Sequence, residues 1–108
     1  MAGEASADVH GAHLVRAIKR LCPDARFCGI GGERMARAGV KIMTRATDMA
    51  VVGLTEVLPR LRTFIGAAHR LKRRLRNEST DLLILIDYPE FNIHMAGVAS
   101  RLGVPVLY

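Results

Sequence analysis

Between residues 8 and 21 the apolar positions Val9, Ala12, Leu14, Val15, Ala17, Ile18 and Leu21 recur in steps of three and four, the spacing of one helical face. Pro23 and Asp24 stop that helix. Residues 26–30 form a short strand candidate, Gly31-Gly32 turns the chain, and residues 33–38 form a short helix with Gly39 placed as its C-terminal cap. Residues 40–43 read as a weak strand and 47–53 as an irregular connection. A long helix is predicted over 55–77, kinked near Pro59. Leu54, Val57, Leu58, Leu61, Phe64, Ile65, Ala68, Leu71 and Leu75 form one apolar stripe along it. Residues 82–87 form a strand, 91–102 a helix closed by Gly103, and 104–108 a last strand.

Helices and strands therefore alternate along the whole chain, which predicts an α/β fold: a Rossmann-like parallel sheet. The chain opens on what reads as the loop after a first strand, and it closes on a strand. That organisation is expected of a partial domain lacking its first strand. The five apolar residues Leu82 to Ile86 run directly into Asp87, as in a strand buried on both faces. Asp87 thus falls at a strand's carboxyl end, where ligands bind in open α/β sheets. Pro89 cannot extend the strand and suits a turn or a first helical residue.

Composition narrows the picture. A chain of 108 residues, half of them apolar, is at most one domain with a core. It holds no apolar run near the ~20 residues of a membrane span, and no apolar stretch follows Met1-Ala2-Gly3-Glu4 as a signal peptide would need. Cys22 and Cys28 lack metal-ligand spacing and read as reduced thiols of a cytoplasmic protein. The net charge of +6 is uneven. Arg60, Arg62, Arg70, Lys72, Arg73, Arg74 and Arg76 carry much of it, with no acid between Glu56 and Glu78. Such a face either attracts phosphates or is simply solvated. Stacking aromatics do not alternate with these arginines, which argues against nucleic acid.

Several positions have two open readings. Small residues around Glu4, Ser6 and Asp8 lead into the first helix, and either an anion sits on its N-terminus or Ser6 or Asp8 caps it; Glu4 and Asp8 are also placed to accept bonds from sugar hydroxyls. Gly29-Ile30-Gly31-Gly32-Glu33-Arg34 resembles the start of a dinucleotide fingerprint without its last glycine, or is a tight turn needing permissive φ. His10 and His13 lie one helical turn apart without an evident third ligand, so no metal is expected. His94 is either at the surface or facing a site. Asp87 and Glu90 are a base and a hydroxyl binder, or Asp87 holds backbone amides while Glu90 caps a helix.

Taken together, Ala2-Gly3-Glu4-Ala5-Ser6 with Asp8 and Gly11, Phe27 to Gly32 with Arg34-Met35, Ala50 to Gly53 with Glu56-Val57-Leu58, and Ile86-Asp87-Tyr88-Pro89-Glu90-Phe91-Asn92 resemble the N-terminal domain of the lipid-A-disaccharide synthase family. The resemblance implies the acceptor-side half of a GT-B glycosyltransferase without its C-terminal, nucleotide-binding domain. It implies transfer of diacylglucosamine from a UDP carrier to diacylglucosamine 1-phosphate, with no cofactor or metal. Asp87 is then the candidate base for the acceptor's 6-hydroxyl, and Glu4, Asn92, Asp8 and Glu90 are candidate substrate-binding residues. Leu58, Leu61, Arg62, Phe64 and Ile65 become candidates for contact with an anionic membrane surface, on the cytoplasmic face of a bacterial inner membrane. The alternative is a stand-alone nucleotide- or phosphate-binding module. Ala7 stands where the family usually has glycine, a costly change if that position needs positive φ, and Tyr88 is bulkier than expected.

Overall fold

The computed structural model describes residues 5–49 and 57–108. The order is α1 (Ala5–Leu21), β1 (Phe27–Gly31), α2 (Glu33–Arg37), β2 (Val40–Arg45), α3 (Ala46–Met49), α4 (Val57–Asn77), β3 (Leu83–Ile84), α5 (Pro89–Arg101) and β4 (Val106–Leu107). The alternation expected from the periodicity is present. Gly39 and Gly103 adopt φ of 99° and 74° just past the C-caps Ala38 and Leu102 of α2 and α5, the left-handed conformation that ends a helix without a Cβ penalty. Pro59 falls in the first turn of α4, where a missing N–H is tolerated, and the helix continues beyond it to Asn77. The connection expected over 47–53 opens instead on the single turn of α3; residues 50–53 lie outside the described residues.

Both strand pairings are parallel, but they form two ladders rather than one sheet. β1 pairs with β2, and β3 pairs with β4. Among the described residues no ladder joins β1 to β3, so packing of side chains links the halves. Ile30 of β1 is buried in the cluster built by α4, α5 and β3, with Leu71, Leu83, Leu85, Phe91 and Met95. Ile86 packs in return against the cluster of α1 and α2, with Ala7, Ala12, Val15 and Met35. The strand before Asp87 is also shorter than expected. Leu83 and Leu85 are buried and Ile84 and Ile86 half-buried, while Leu82 is 45% exposed. One face of this strand is in the core, and the other is only partly covered.

α4 buries Ala67, Leu71 and Leu75, with Phe64 and Ala68 packed beside them. These steps of three and four leave Arg62, Ile65, His69, Lys72, Arg73 and Arg76 on the outward side. The stripe read from sequence therefore splits. Ile65 is 61% exposed and does not share the core face of Leu71.

Candidate active site

Two strand-to-helix turns carry the carboxylates singled out in the sequence. At the first, β1 ends at Gly31 and α2 begins at Glu33. Asp8 of α1 reaches across to it. Its Oδ1 accepts the N–H of Gly32 (2.8 Å) and of Met35 (3.1 Å), and its Oδ2 accepts that of Arg34 (3.0 Å). Asp8 is buried. It thus satisfies amides that the start of α2 would otherwise leave unpaired, and its charge opposes the positive end of that helix. Asp8 does cap a helix, though not its own.

This arrangement accounts for the glycine-rich turn. A Cβ on Gly32 would lie 2.6 Å from Asp8 Oδ2. Gly32 has φ of −112°, so close approach and not permissive φ requires glycine there. A dinucleotide phosphate would need the same amides. The protein's own carboxylate holds them, and the fingerprint reading fails for that reason. Ala7 is a buried residue inside α1 with no positive φ, so it brings none of the backbone cost expected of it.

The second turn is open. Asp87 and Tyr88 take φ of 56° and 58°, the only non-glycine residues with positive φ among those described. Aspartate tolerates this region; for tyrosine it costs about 1–2 kcal/mol. Pro89 then opens α5, with Glu90 in its first turn. The turn lifts the Asp87 side chain out of the strand, and Asp87 is exposed. Its Oδ1 accepts the N–H of Tyr88 at 2.9 Å. Among the described residues, Oδ2 has no hydrogen-bond donor. An exposed carboxylate with one oxygen tied and one free can orient a hydroxyl and take its proton.

Asn92 is placed differently from a substrate contact. It is fully buried, and its Nδ2 donates to the Asp87 carbonyl oxygen. Its backbone N–H donates to the Tyr88 carbonyl (3.1 Å), while its Oδ1 is buried without a partner among the described residues. A side chain with no exposed surface cannot line a cleft, and Asn92 instead braces the turn from below. The Tyr88 ring braces it from the side. It stacks on Phe64 of α4 at 5.4 Å between centroids and 16° between planes, and Phe64 also meets Phe91 at 5.9 Å. Such a stack contributes about 0.5–1.5 kcal/mol beyond area burial, enough to offset most of the left-handed cost at Tyr88. The bulk of Tyr88, unexpected from sequence, is thus what meets α4.

Phe64 is accordingly half-buried against the core and not turned outward as a membrane contact. Ile65 and Arg62 are exposed. Leu58 and Leu61 lie on the α4 backbone, their side chains outside the described residues, and Glu4 is outside them altogether. Glu90 and His94 are exposed on α5, and His10 and His13 on α1. His69, Lys72, Arg73 and Arg76 line a shallow groove of about 270 Å³ on the outer side of α4. Of the other basic residues there, Arg70 donates to Thr44 Oγ1 (3.2 Å) and Arg74 pairs with Glu78 (2.5 Å). Among the described residues no helix is long and apolar enough to cross a membrane.

The lipid-A-disaccharide synthetase family model matches residues 1–108. A lipid-A-disaccharide synthase of Syntrophus aciditrophicus is 51% identical over 108 residues, all of this chain and 28% of the relative. One of Nitrosococcus oceani is 48% identical over the same span and share, and one of Coxiella burnetii is 45% identical, with 29% of its length covered. The chain therefore spans under a third of the length of the curated relatives it matches.

Proposed function

Because this chain belongs to the lipid-A-disaccharide synthase family, we propose that it forms the acceptor-side part of the N-terminal domain of a GT-B glycosyltransferase. The full enzyme would transfer 2,3-diacylglucosamine from its UDP carrier to 2,3-diacylglucosamine 1-phosphate. The products would be the β-1,6-linked disaccharide 1-phosphate and UDP. The observation that carries this reading is the exposed Asp87 carboxylate, held at a strand's carboxyl end on a left-handed turn, its Oδ2 without a donor among the described residues.

In this reading the acceptor's 6-hydroxyl donates to Asp87 Oδ2. As that hydroxyl oxygen bonds to the donor's anomeric carbon, the bond to UDP breaks and UDP departs with its electron pair. The hydroxyl proton passes to Asp87. The proton is transferred late, once the new bond has made the hydroxyl strongly acidic. Glu4 and Glu90 are proposed to position substrate hydroxyls; Glu90 is exposed one residue beyond Pro89, in the first turn of α5. Asp8 and Asn92 support the architecture: both Asp8 oxygens accept backbone amides, and the buried Asn92 donates its Nδ2 to the Asp87 carbonyl.

Both substrates carry acyl chains, so the enzyme has to meet a bilayer, proposed to be the cytoplasmic face of the inner membrane. The outward side of α4 suits an anionic surface, with Arg62, Ile65, Lys72, Arg73 and Arg76 exposed. Each basic side chain near such a surface contributes roughly 1 kcal/mol.

The test is Asp87→Asn in the full-length synthase containing this segment. Disaccharide formation should fall by about 100-fold or more while the unfolding midpoint stays in place. Near-wild-type turnover would remove Asp87 as the base.

A further inference from the structure

Two adjacent non-glycine residues with positive φ have to be held there by their surroundings. Of the contacts at the Asp87–Tyr88 turn, the Tyr88 N–H to Asp87 Oδ1 bond is internal to it, and the Asn92 bond to the Asp87 carbonyl comes from the helix that follows. The stack of Tyr88 on Phe64 comes from elsewhere, from α4. α4 is itself fixed by Ala67, Leu71 and Leu75 in the core. The peptide linking Asp87 to Tyr88 has the base on one side and the stacked ring on the other. Its N–H is also the donor to the base's Oδ1. Rotating this peptide to release the ring would therefore redirect the carboxylate and break its hydrogen bond together.

We infer that Tyr88 is a positioning residue, whose ring, clamped on Phe64, sets the direction in which the Asp87 carboxylate leaves the turn. The inference rests on the reading of Asp87 as the base. It assigns α4 a part in aligning that base, in addition to any contact its outer side makes.

The test compares kcat and acceptor KM in the full-length synthase. Tyr88→Leu should lower kcat by about 10- to 100-fold, as expected for a misplaced reacting group, with acceptor KM changed less than about twofold. Tyr88→Phe, which keeps the ring, should turn over faster than Tyr88→Leu. Tyr88→Gly, at ease with positive φ, should fold and stay as slow as Tyr88→Leu, since φ alone does not aim the carboxylate. Phe64→Leu should reproduce the loss from the α4 side, and the double variant should be no slower than the slower single one. Wild-type kcat in Tyr88→Gly or Phe64→Leu, or a loss confined to KM, would overturn the inference. Active Asp87→Asn would instead bring down the base assignment beneath it. An inactive Asp87→Asn beside a fully active Tyr88→Gly would refute the positioning role alone.

Discussion

The two strand-to-helix turns of this chain solve the same geometric problem in opposite ways. At the β1–α2 turn a carboxylate from another helix is buried against three backbone amides, and glycine makes room for it. At the turn before α5 the carboxylate belongs to the turn itself, is exposed, and is held by left-handed backbone, a buried amide and an aromatic stack. The first turn consumes the chemistry of its aspartate to hold the fold together. The second uses the fold to keep its aspartate available. An acidic residue near a helix start is therefore not evidence of function until its oxygens have been accounted for.

The sharpest test of that contrast is to neutralise each carboxylate in turn. Asp87→Asn should abolish turnover in the full-length synthase and leave its unfolding midpoint unchanged, because an exposed side chain holding one local hydrogen bond supports little of the fold. Asp8→Ala should do the reverse at first order. Loss of the acceptor for three amides should destabilise the protein by about 3 kcal/mol, read by chemical denaturation. Activity should then fall only in proportion to the folded fraction. A stable Asp8→Ala enzyme with altered acceptor KM would erase the distinction between the two turns.

A smaller effect is expected at Gly32. Placing a methyl 2.6 Å from the Asp8 oxygen forces a shift worth about 1–3 kcal/mol. Gly32→Ala should thus lower the unfolding midpoint, and combining it with Asp8→Ala should cost less than the sum, because the clash is with that side chain. The smallest stability effect belongs to α4. Ile65→Ser should change stability by less than about 0.5 kcal/mol, since Ile65 is 61% exposed. Paired with Arg62→Ser, it should weaken sedimentation with anionic vesicles several-fold. Unchanged vesicle binding would show that this side of α4 is only solvated.

The long helix shows how far periodicity carries. Its apolar spacing located α4 and placed Phe64, Leu71 and Leu75 on one stripe, but it counted Ile65 and Phe64 together. Phe64 packs inward beside Leu71, and Ile65 points away. At 100° per residue the two neighbours face different sides, and a stripe drawn broadly enough to hold both cannot say which one meets the core. Asn92 shows a different limit. Its place in the sequence pattern near Asp87 was legible, its burial was not, because a polar residue one turn into a helix has no sequence signal for facing inward.

By itself the sequence determined the alternation of the larger helices and strands, the glycines that follow α2 and α5 at Gly39 and Gly103, and the placement of Asp87 beyond an apolar strand; it began α5 at Phe91 and missed the single turn of α3. What it determined follows from local causes: side-chain periodicity and the freedom of glycine. Tertiary structure decided that the strands form two ladders, that Asp8 closes the α2 turn from another helix, and that Phe64 clamps Tyr88. Each of these joins residues far apart along the chain. A carboxylate's partner, or a ring's, is fixed only when packing brings distant segments to hydrogen-bonding or van der Waals distance.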